Sequence, residues 1–371
     1  MRSKAIKVVH MTSAHPRYDI RIFFKECRSL ANSGYIVSLV VADGLPDEEK
    51  EGVDIVAVTK SDSRLSRMLR TSRRVYKKAI ALDADIYHLH DPELLPYAWL
   101  LALRGKKVVF DAHEDFPKQL KSKHYLGKIT RTGLSWFFGW FEGFICKRLS
   151  GVIAATPTIT QKFAEINHNS VNVNNYPVIS ELSSEKIEWS EKEPWVAYIG
   201  GIASIRGITE VVNAMELAPS SIILKLGGNF DRASTESECK ALAGWERVDM
   251  LGFIDRNMVK EVLKKSIAGL VTFHSHPNHV DAQPNKMFEY MSAGVPVIGS
   301  HFELWRQVIE GNQCGICVDP MNPREITKAI QYLYENPEKA AEMGLNGQQA
   351  IQERYNWDQE QKKLVEFYES L

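Results

Sequence analysis

The sequence has little cysteine, no long apolar run and no net charge, and each scarcity narrows what the chain is. Its five cysteines among 371 residues (Cys27, Cys146, Cys239, Cys314 and Cys317) form an odd count without a disulfide framework. That usage fits a reducing compartment. Cys314 and Cys317 have redox-motif spacing, but they stand in CGICV, which reads as a buried strand. A lone CxxC carries little weight for redox or metal chemistry. No apolar stretch approaches the ~20 residues that span a bilayer. The opening MRSKAIKVVHM turns directly into a strand and is too short for a secretory signal. A cytoplasmic chain is therefore expected.

The zero net charge conceals an asymmetry. Residues 1–175 hold 27 Lys/Arg against 18 Asp/Glu, and the remainder holds 19 against 28. This argues against a nucleic-acid binder that is basic throughout and suggests that a basic first domain meets something anionic. The plainer alternative is two domains of different surface charge. The length allows two domains with substantial cores.

Strands and helices alternate along the chain. Residues 5–11, 35–42, 53–58, 84–90, 106–113 and 151–156 read as strands. Helices are expected at 21–34, about 64–82, 92–103 and about 118–149. This pattern predicts an α/β fold with a parallel, doubly wound sheet. The polar stretch 179–194 lacks apolar periodicity and reads as a linker. A second alternating unit follows from WVAYIGG to CGICVDP, and from Pro323 onward the chain is helical, with breaks near Pro337 and Trp357. The expected organisation is a Rossmann-like domain at 1–178, a linker at 179–194 and a second such domain at 195–355. A final helix at 356–371 would return toward the first domain. Ligands of such sheets bind at the carboxyl ends of the strands, here expected in a central cleft between the domains.

The most informative run is DAQPNKMFEYMSAG, where Asp281 and Glu289 lie eight residues apart. Pro284 suits the first turn of a helix, Met287 and Met291 face inward, and Gly294 closes it. Carboxylates accept hydrogen bonds from sugar hydroxyls, and the free N–H groups of a first turn attract phosphate. A sugar-nucleotide site follows, with Pro284, Asn285 and Lys286 at the helix start. YIGGIASIRGI supplies Gly200 and Gly201, where backbone can approach an anion, and Arg206, which can fork onto a diphosphate. LGGNF and LGFID place Gly228, Phe253 and Ile254 in further strand-end turns that serve a base or are only tight connections. In the first domain, DAHEDFP sets His113 at a strand end, HLHDPELLP offers His90 and Asp91, and HPRYDIR offers Asp19 and Arg21. His88 reads as a core residue, and Asp19 reads equally well as a helix N-cap.

The ordered set TSAHPRYDIRIFFKE, HLHDPELLP, DAHEDFP, IGGIASIRGI and PNKMFEYMSAGVPVIGS resembles bacterial glycosyltransferase family 4, over essentially the whole chain. The resemblance implies the GT-B fold, with acceptor bound by the first domain and nucleotide sugar by the second. It also implies retaining transfer without an essential metal or cofactor. Asp281 then matches the first acid of the family's E-x7-E motif, which contacts the donor sugar, and Glu289 the second, which holds the ribose. Arg206 matches the basic residue that neutralises the diphosphate, and His113 the His near donor sugar and acceptor. These four are the expected catalytic set. Gly200, Gly201, Gly228, Phe253, Ile254, Pro284, Asn285 and Lys286 would bind the donor, while Asp19, Arg21, His90 and Asp91 lie on the acceptor side. Two positions depart from the pattern. Asp281 replaces the usual Glu, and Gly201 stands where many relatives carry Arg, a contact for which Lys286 or another basic group would have to compensate.

His274, His276 and His279 resemble a metal-ligand cluster, but the family resemblance favours donor-sugar contacts there. Trp136, Trp140 and Phe144 recur at helical spacing, flanked by Lys118, Lys121, Lys123, Lys128, Arg131, Lys147 and Arg148. A second basic run holds Arg64, Arg67, Arg70, Arg73, Arg74, Lys77 and Lys78. These features suit peripheral contact with the inner face of the cytoplasmic membrane, or else the aromatics fill a core. The expected activity is transfer from a nucleotide-diphosphate sugar, expected to be UDP-linked, to a lipid-linked glycan in surface polysaccharide synthesis. The alternatives are a nucleotide-sugar epimerase and a non-catalytic nucleotide-sugar-binding subunit.

Overall fold

A computed structural model describes residues 5–61, 63–121, 127–179 and 189–371. The chain forms two compact units, Met1–Asn175 with Trp357–Leu371, and Tyr176–Asn356. Most of the stretch read as a linker, 180–188, lies outside the described residues, as does Lys123.

The first unit is built on strands β1 (Lys7–Met11), β2 (Ile36–Val41), β3 (Glu48–Lys50), β4 (Val53–Ala57), β5 (Ile86–Leu89), β6 (Lys107–Ala112), β7 (Gly151–Ala154) and β8 (Ser170–Asn172). They pair in the order β3-β4-β2-β1-β5-β6-β7-β8, parallel throughout except for β3 against β4. The second unit has β9 (Trp195–Ile199), β10 (Ile223–Gly227), β11 (Val248–Gly252), β12 (Ser266–Val271), β13 (Val297–Ser300) and β14 (Gly315–Val318). Their order is β11-β10-β9-β12-β13-β14, parallel throughout. Helices cover both faces of each sheet, so β5, β7, β12 and β13 are buried along their whole length. That is why they read as continuous apolar runs and not as alternating ones. Strand order reverses between β1 and β5 and again between β9 and β12, and loops diverge at such points to open a crevice.

Two local departures have physical causes. The β3–β4 hairpin is absent from the sequence reading because Glu48–Lys50 is wholly charged, a composition that suits an edge strand. Its turn is made by Glu51 (φ 53°) and Gly52 (φ 76°), the left-handed pair that a two-residue hairpin needs. Pro284 does not open the first turn of its helix. It is the cap residue, at ψ 128°, before a helix over Asn285–Ser292. Gly294 (φ 65°) terminates that helix, its N–H donating to Met291 O at 3.0 Å. Cys314 and Cys317 flank and occupy β14, and burial pushes both thiols up to about 12, which leaves little thiolate for redox or metal chemistry.

The C-terminal helix Trp357–Ser370 is an integral part of the first unit. Trp357 Nε1 donates to Ser29 Oγ (2.9 Å), and Asn174 N donates to Glu360 Oε2 (2.6 Å). Tyr368 OH bonds His88 Nδ1 at 2.7 Å beneath β5. Phe367 lies so close to β7 that a Cβ at Gly151 would stand 2.6 Å from its ring. Gly151 is thus required by close approach. Phe367→Ala is expected to cost about 3–5 kcal/mol, measured by denaturant unfolding of the full chain. A loss within experimental error would show that the helix contributes nothing to this core.

Candidate active site

In the second unit the switch point is shaped by glycine and charged by lysine and arginine. β9 ends at Gly200 (φ 110°) and β10 is followed by Gly228 (φ 139°). A Cβ on Gly228 would stand 2.0 Å from Gly200 O, so the two turns meet only because Gly228 carries no side chain. Arg206 Nη1 donates to Gly201 O at 3.2 Å and occupies the space that a side chain at 201 would take. The Arg206 guanidinium lies 5.5 Å from the Phe273 ring centre, and Lys286 Nζ lies 5.4 Å from the same ring.

Lys286 is the unusual member. Its ammonium is buried over the face of Tyr198, 3.7 Å from the ring centre, and has no hydrogen-bond partner. Burial and then the Arg206 charge bring its pKa down to about 7, while Glu289 partly opposes the shift. The sign matters: a depressed ammonium costs stability while protonated, and that cost lifts as the pH rises past about 7. An anion received here would relieve it.

Glu289 lies inside the helix and bonds Arg256 Nη1 through Oε1 at 2.6 Å. Arg256 opens the helix Arg256–Lys265 and carried no sequence signal beyond its charge. Asp281 is half-buried at the end of the turn Pro277–Val280, before the Glu289 helix. Ile254 packs over Gly227, whereas Phe253 is 81% exposed. The three histidines of FHSHPNH have diverging partners. His274 Nε2 pairs with Glu210 (2.9 Å), His279 Nδ1 bonds His274 O (3.1 Å), and His276 caps the turn that follows.

The first unit gathers polar side chains at the ends of β1, β5 and β6. Asp91 Oδ2 accepts from Thr12 Oγ1 (2.9 Å), Ser13 N (2.6 Å) and Ser13 Oγ (3.2 Å), fixing the β1 loop. Asp19 Oδ1 accepts from Arg21 N and Ile22 N, the bonds of an N-cap, and Oδ2 meets His15 Nδ1 at 3.2 Å. Although burial opposes both charges, that hydrogen bond holds Asp19 well below the usual carboxylate range and raises His15. His113 Nε2 lies 2.8 Å from Asp111 Oδ2 and remains partly exposed. These groups border a cavity of about 710 Å³ lined by His15, His90, Asp91, Asp111, His113 and Glu114, with Arg67, Glu93, Phe116 and Phe138 also on its wall. Arg67 holds Glu93 through two N–H donors at 3.0 and 3.2 Å. Glu93, Phe116 and Phe138 are lining residues that the sequence reading passed over, although Glu93 and Phe116 stand inside its own strand-end motifs.

Arg21, placed on the acceptor side from its sequence position, is instead 3% exposed and belongs to the core. The chain from Ile22 to Cys27 is a π-turn, with Glu26 N donating to Arg21 O at 2.9 Å, and residues five apart share one face. Arg21 therefore forks onto Asp111 (Nε to Oδ2 2.9 Å, Nη2 to Oδ1 2.8 Å) and donates to Val173 O. Burial disfavours both charges, but each holds the other ionised, Asp111 well below its usual range. Glu26, also fully buried, goes the other way: burial and the Asp111 charge raise it.

The aromatic helix Lys128–Cys146 is divided between core and surface. Ile145 and Cys146 are buried, whereas Trp136 is 74% and Trp140 57% exposed. Phe144 is half-buried, stacked on Trp140 and covered by Arg148 at 3.8 Å. Arg70, Arg73, Arg74, Lys77 and Lys78 are exposed; the side chains of Arg64 and Lys128 lie outside the described residues. Among the described residues no helix is long and apolar enough to cross a membrane.

Comparison with known proteins adds to this geometry. The model of Glycosyltransferase Family 4 matches residues 21–173, and that of Glycosyl transferases group 1 matches residues 180–350. The D-rhamnosyltransferase WbpZ of Pseudomonas aeruginosa is 22% identical over 88% of this chain and 85% of its own. An uncharacterized glycosyltransferase of Methanocaldococcus jannaschii is 25% identical over 48% of this chain, a match spanning 45% of that protein. Among solved structures, a sucrose-phosphate synthase of Thermosynechococcus elongatus superposes with TM-score 0.79 at 16% identity, covering 99% of each chain. Anabaena HepE in complex with UDP gives TM-score 0.76 at 15% identity over 99% of this chain and all of its own. With the two family models matched in succession over residues 21–173 and 180–350, the chain belongs to the family 4 glycosyltransferases of the GT-B fold.

Proposed function

We propose that the chain is a retaining transferase of the hexosyl or N-acetylhexosaminyl class. It would move a sugar from a UDP-sugar to a hydroxyl of a lipid-linked glycan in surface polysaccharide assembly. The observation that carries this reading is the unpartnered Lys286 ammonium beside Arg206 at the carboxyl end of β9. Two neighbouring cations suit the two charges of a leaving diphosphate, and they act most strongly where water is excluded. Lys286 thus takes the contact that an Arg at 201 supplies in relatives. Glu289, steadied by Arg256, holds the ribose, and Asp281 and His113 orient the donor sugar. HepE was solved with UDP, UDP and glucose, and UDP-glucose, which supports a uridine donor.

Transfer breaks the bond from the anomeric carbon to the diphosphate oxygen, which keeps the electron pair. The acceptor oxygen bonds the same face of that carbon, and its proton passes to the departing diphosphate. No side chain is assigned as a nucleophile, and no metal is required at the donor site. The cavity of the first unit, with carboxylates and His113 on its rim and Phe116 and Phe138 on its wall, is suited to a sugar acceptor. The exposed Trp136 and Trp140 beside cationic side chains support contact of this unit with an anionic membrane face.

Three outcomes test this reading. Arg206→Ala and Glu289→Ala should each lower transfer by about 10²–10³-fold with an unchanged melting temperature, and full turnover in either variant sinks the assignment. Donor affinity should be highest below pH 7 and fall up to about tenfold per unit above it, because Lys286, with its pKa near 7, must then take up a proton to bind. Calorimetry with UDP checks this, and the fall should vanish in Lys286→Met. Finally, the chain should sediment with vesicles containing phosphatidylglycerol and not with neutral ones, and Trp136→Ala/Trp140→Ala should abolish that binding. Equal sedimentation of both proteins would remove the aromatic face from the membrane.

A further inference from the structure

Beneath the cavity, outside the machinery of transfer, lies a cluster that the proposed reaction leaves unused. His10 on β1, His88 on β5, His90 just past its end and Glu26 in the π-turn are all buried, and one ligand atom from each lies within 4.8 Å of all the others. Three polar atoms there have neither a hydrogen-bond partner nor a close counterion, His10 Nε2, His88 Nε2 and Glu26 Oε2, while Glu26 Oε1 lies 3.0 Å from Arg21 Nε. Orphaned polar atoms at zero exposure are rare because each forfeits its hydration. Three of them in one buried cluster call for a shared ligand.

The hydrogen-bond chain shows what kind. Asp111 is an acceptor, fixed by its fork from Arg21, and its Oδ2 lies 3.3 Å from His90 Nδ1. A bare lone pair on that nitrogen would be repelled, so Nδ1 carries the hydrogen and Nε2 of the neutral ring does not. His90 Nε2 accepts in turn from His10 Nδ1 at 2.9 Å. His10 Nε2 is then left with a lone pair, aimed at a cluster that already holds a carboxylate. His88 is held from behind in the same way, its Nδ1 bonded to Tyr368 OH at 2.7 Å. An imidazole anchored through one nitrogen and free at the other is the arrangement of a metal-ligating histidine with its outer partner. Glu26 Oε2 stands 4.0 Å from His88 Nε2 and 4.0 Å from His90 Nε2, too far to share a proton directly. The neighbouring trio His90, Asp111 and His113 also brings ligand atoms together, but there both carboxylate oxygens accept from Arg21, whereas only Oε1 of Glu26 meets it, at 3.0 Å.

We propose that His10, His88 and Glu26 bind one divalent transition-metal ion of the zinc class in the core of the first unit, with His90 and Tyr368 orienting the two imidazoles. Two imidazoles and one carboxylate suit zinc or its cobalt substitute. The ion would tie β1, β5 and the π-turn to the C-terminal helix through Tyr368. It is structural, because its ligands are fully buried while His113 faces the cavity.

The test uses the full chain, produced without a histidine tag in zinc-supplemented medium. Mass spectrometry of the purified protein should find one zinc per chain. Refolding from guanidinium with Co²⁺ should give the visible absorption of a four- or five-coordinate site, and refolding with Zn²⁺ should raise the melting temperature above that reached with EDTA. Tyr368→Phe should keep the fold and weaken metal retention about 10–100-fold, whereas His276→Asn, in the other histidine-rich segment, should leave one ion bound. A metal-free wild-type chain that refolds identically with EDTA, Zn²⁺ or Co²⁺ overturns the proposal. So does a metal lost in His276→Asn and kept in His10→Gln.

Discussion

The fork of Arg21 onto Asp111 is the contact on which the first unit's interior depends. Both groups are buried, and after the cost of burial each is held ionised chiefly by the other. Removing one partner of such a pair costs about 3–5 kcal/mol, since the charge left behind loses its bidentate counterion away from water. From Asp111 the order spreads in two directions. One side holds His113 at the cavity wall, and the other sets the hydrogen on His90 and through it on His10. The π-turn makes this possible, because one extra residue in the turn brings Arg21 and Glu26 to one face, and an α-helical turn would set them apart.

The second unit solves a different problem. It must leave room and charge for a ligand at the end of β9, and it does so by subtraction. Gly200, Gly201 and Gly228 remove side chains where backbones meet, and Arg206 folds into the space at 201. Lys286 is held over Tyr198 and Phe273 without a counterion, which lowers its pKa to about 7. Burying an ammonium that way is unfavourable in the free protein, and the pairing of such strain with a strand-end crevice is what marks the place as functional.

Much of this was legible along the chain. Continuous apolar runs bounded by turns report strands buried on both faces, and Gly294 reports the end of the Glu289 helix, because these signals act within a few residues. What escaped had no local signal. The β3–β4 hairpin hides in charge at a sheet edge. Arg21 reads as an acceptor-side residue from its place in HPRYDIR, and nothing nearby in sequence announces a counterion ninety residues away. His10 and Glu26 sit inside a strand and a turn, where a sequence pattern treats them as interruptions and not as neighbours.

The sequence by itself determined the alternation of elements, two doubly wound sheets, the strand-end motifs and the family to which they belong. All of these rest on periodicity and short spacings, which the chain carries wherever it folds. Tertiary structure decided what each charged group does. It buried Arg21 and exposed Trp136, left Lys286 without a partner and gave Glu289 to Arg256. It also brought His10, Glu26 and His88 from three separate elements to one point. Burial and counterions are long-range properties set by which elements pack together, and the charge state of a side chain follows from them, not from its neighbours in sequence.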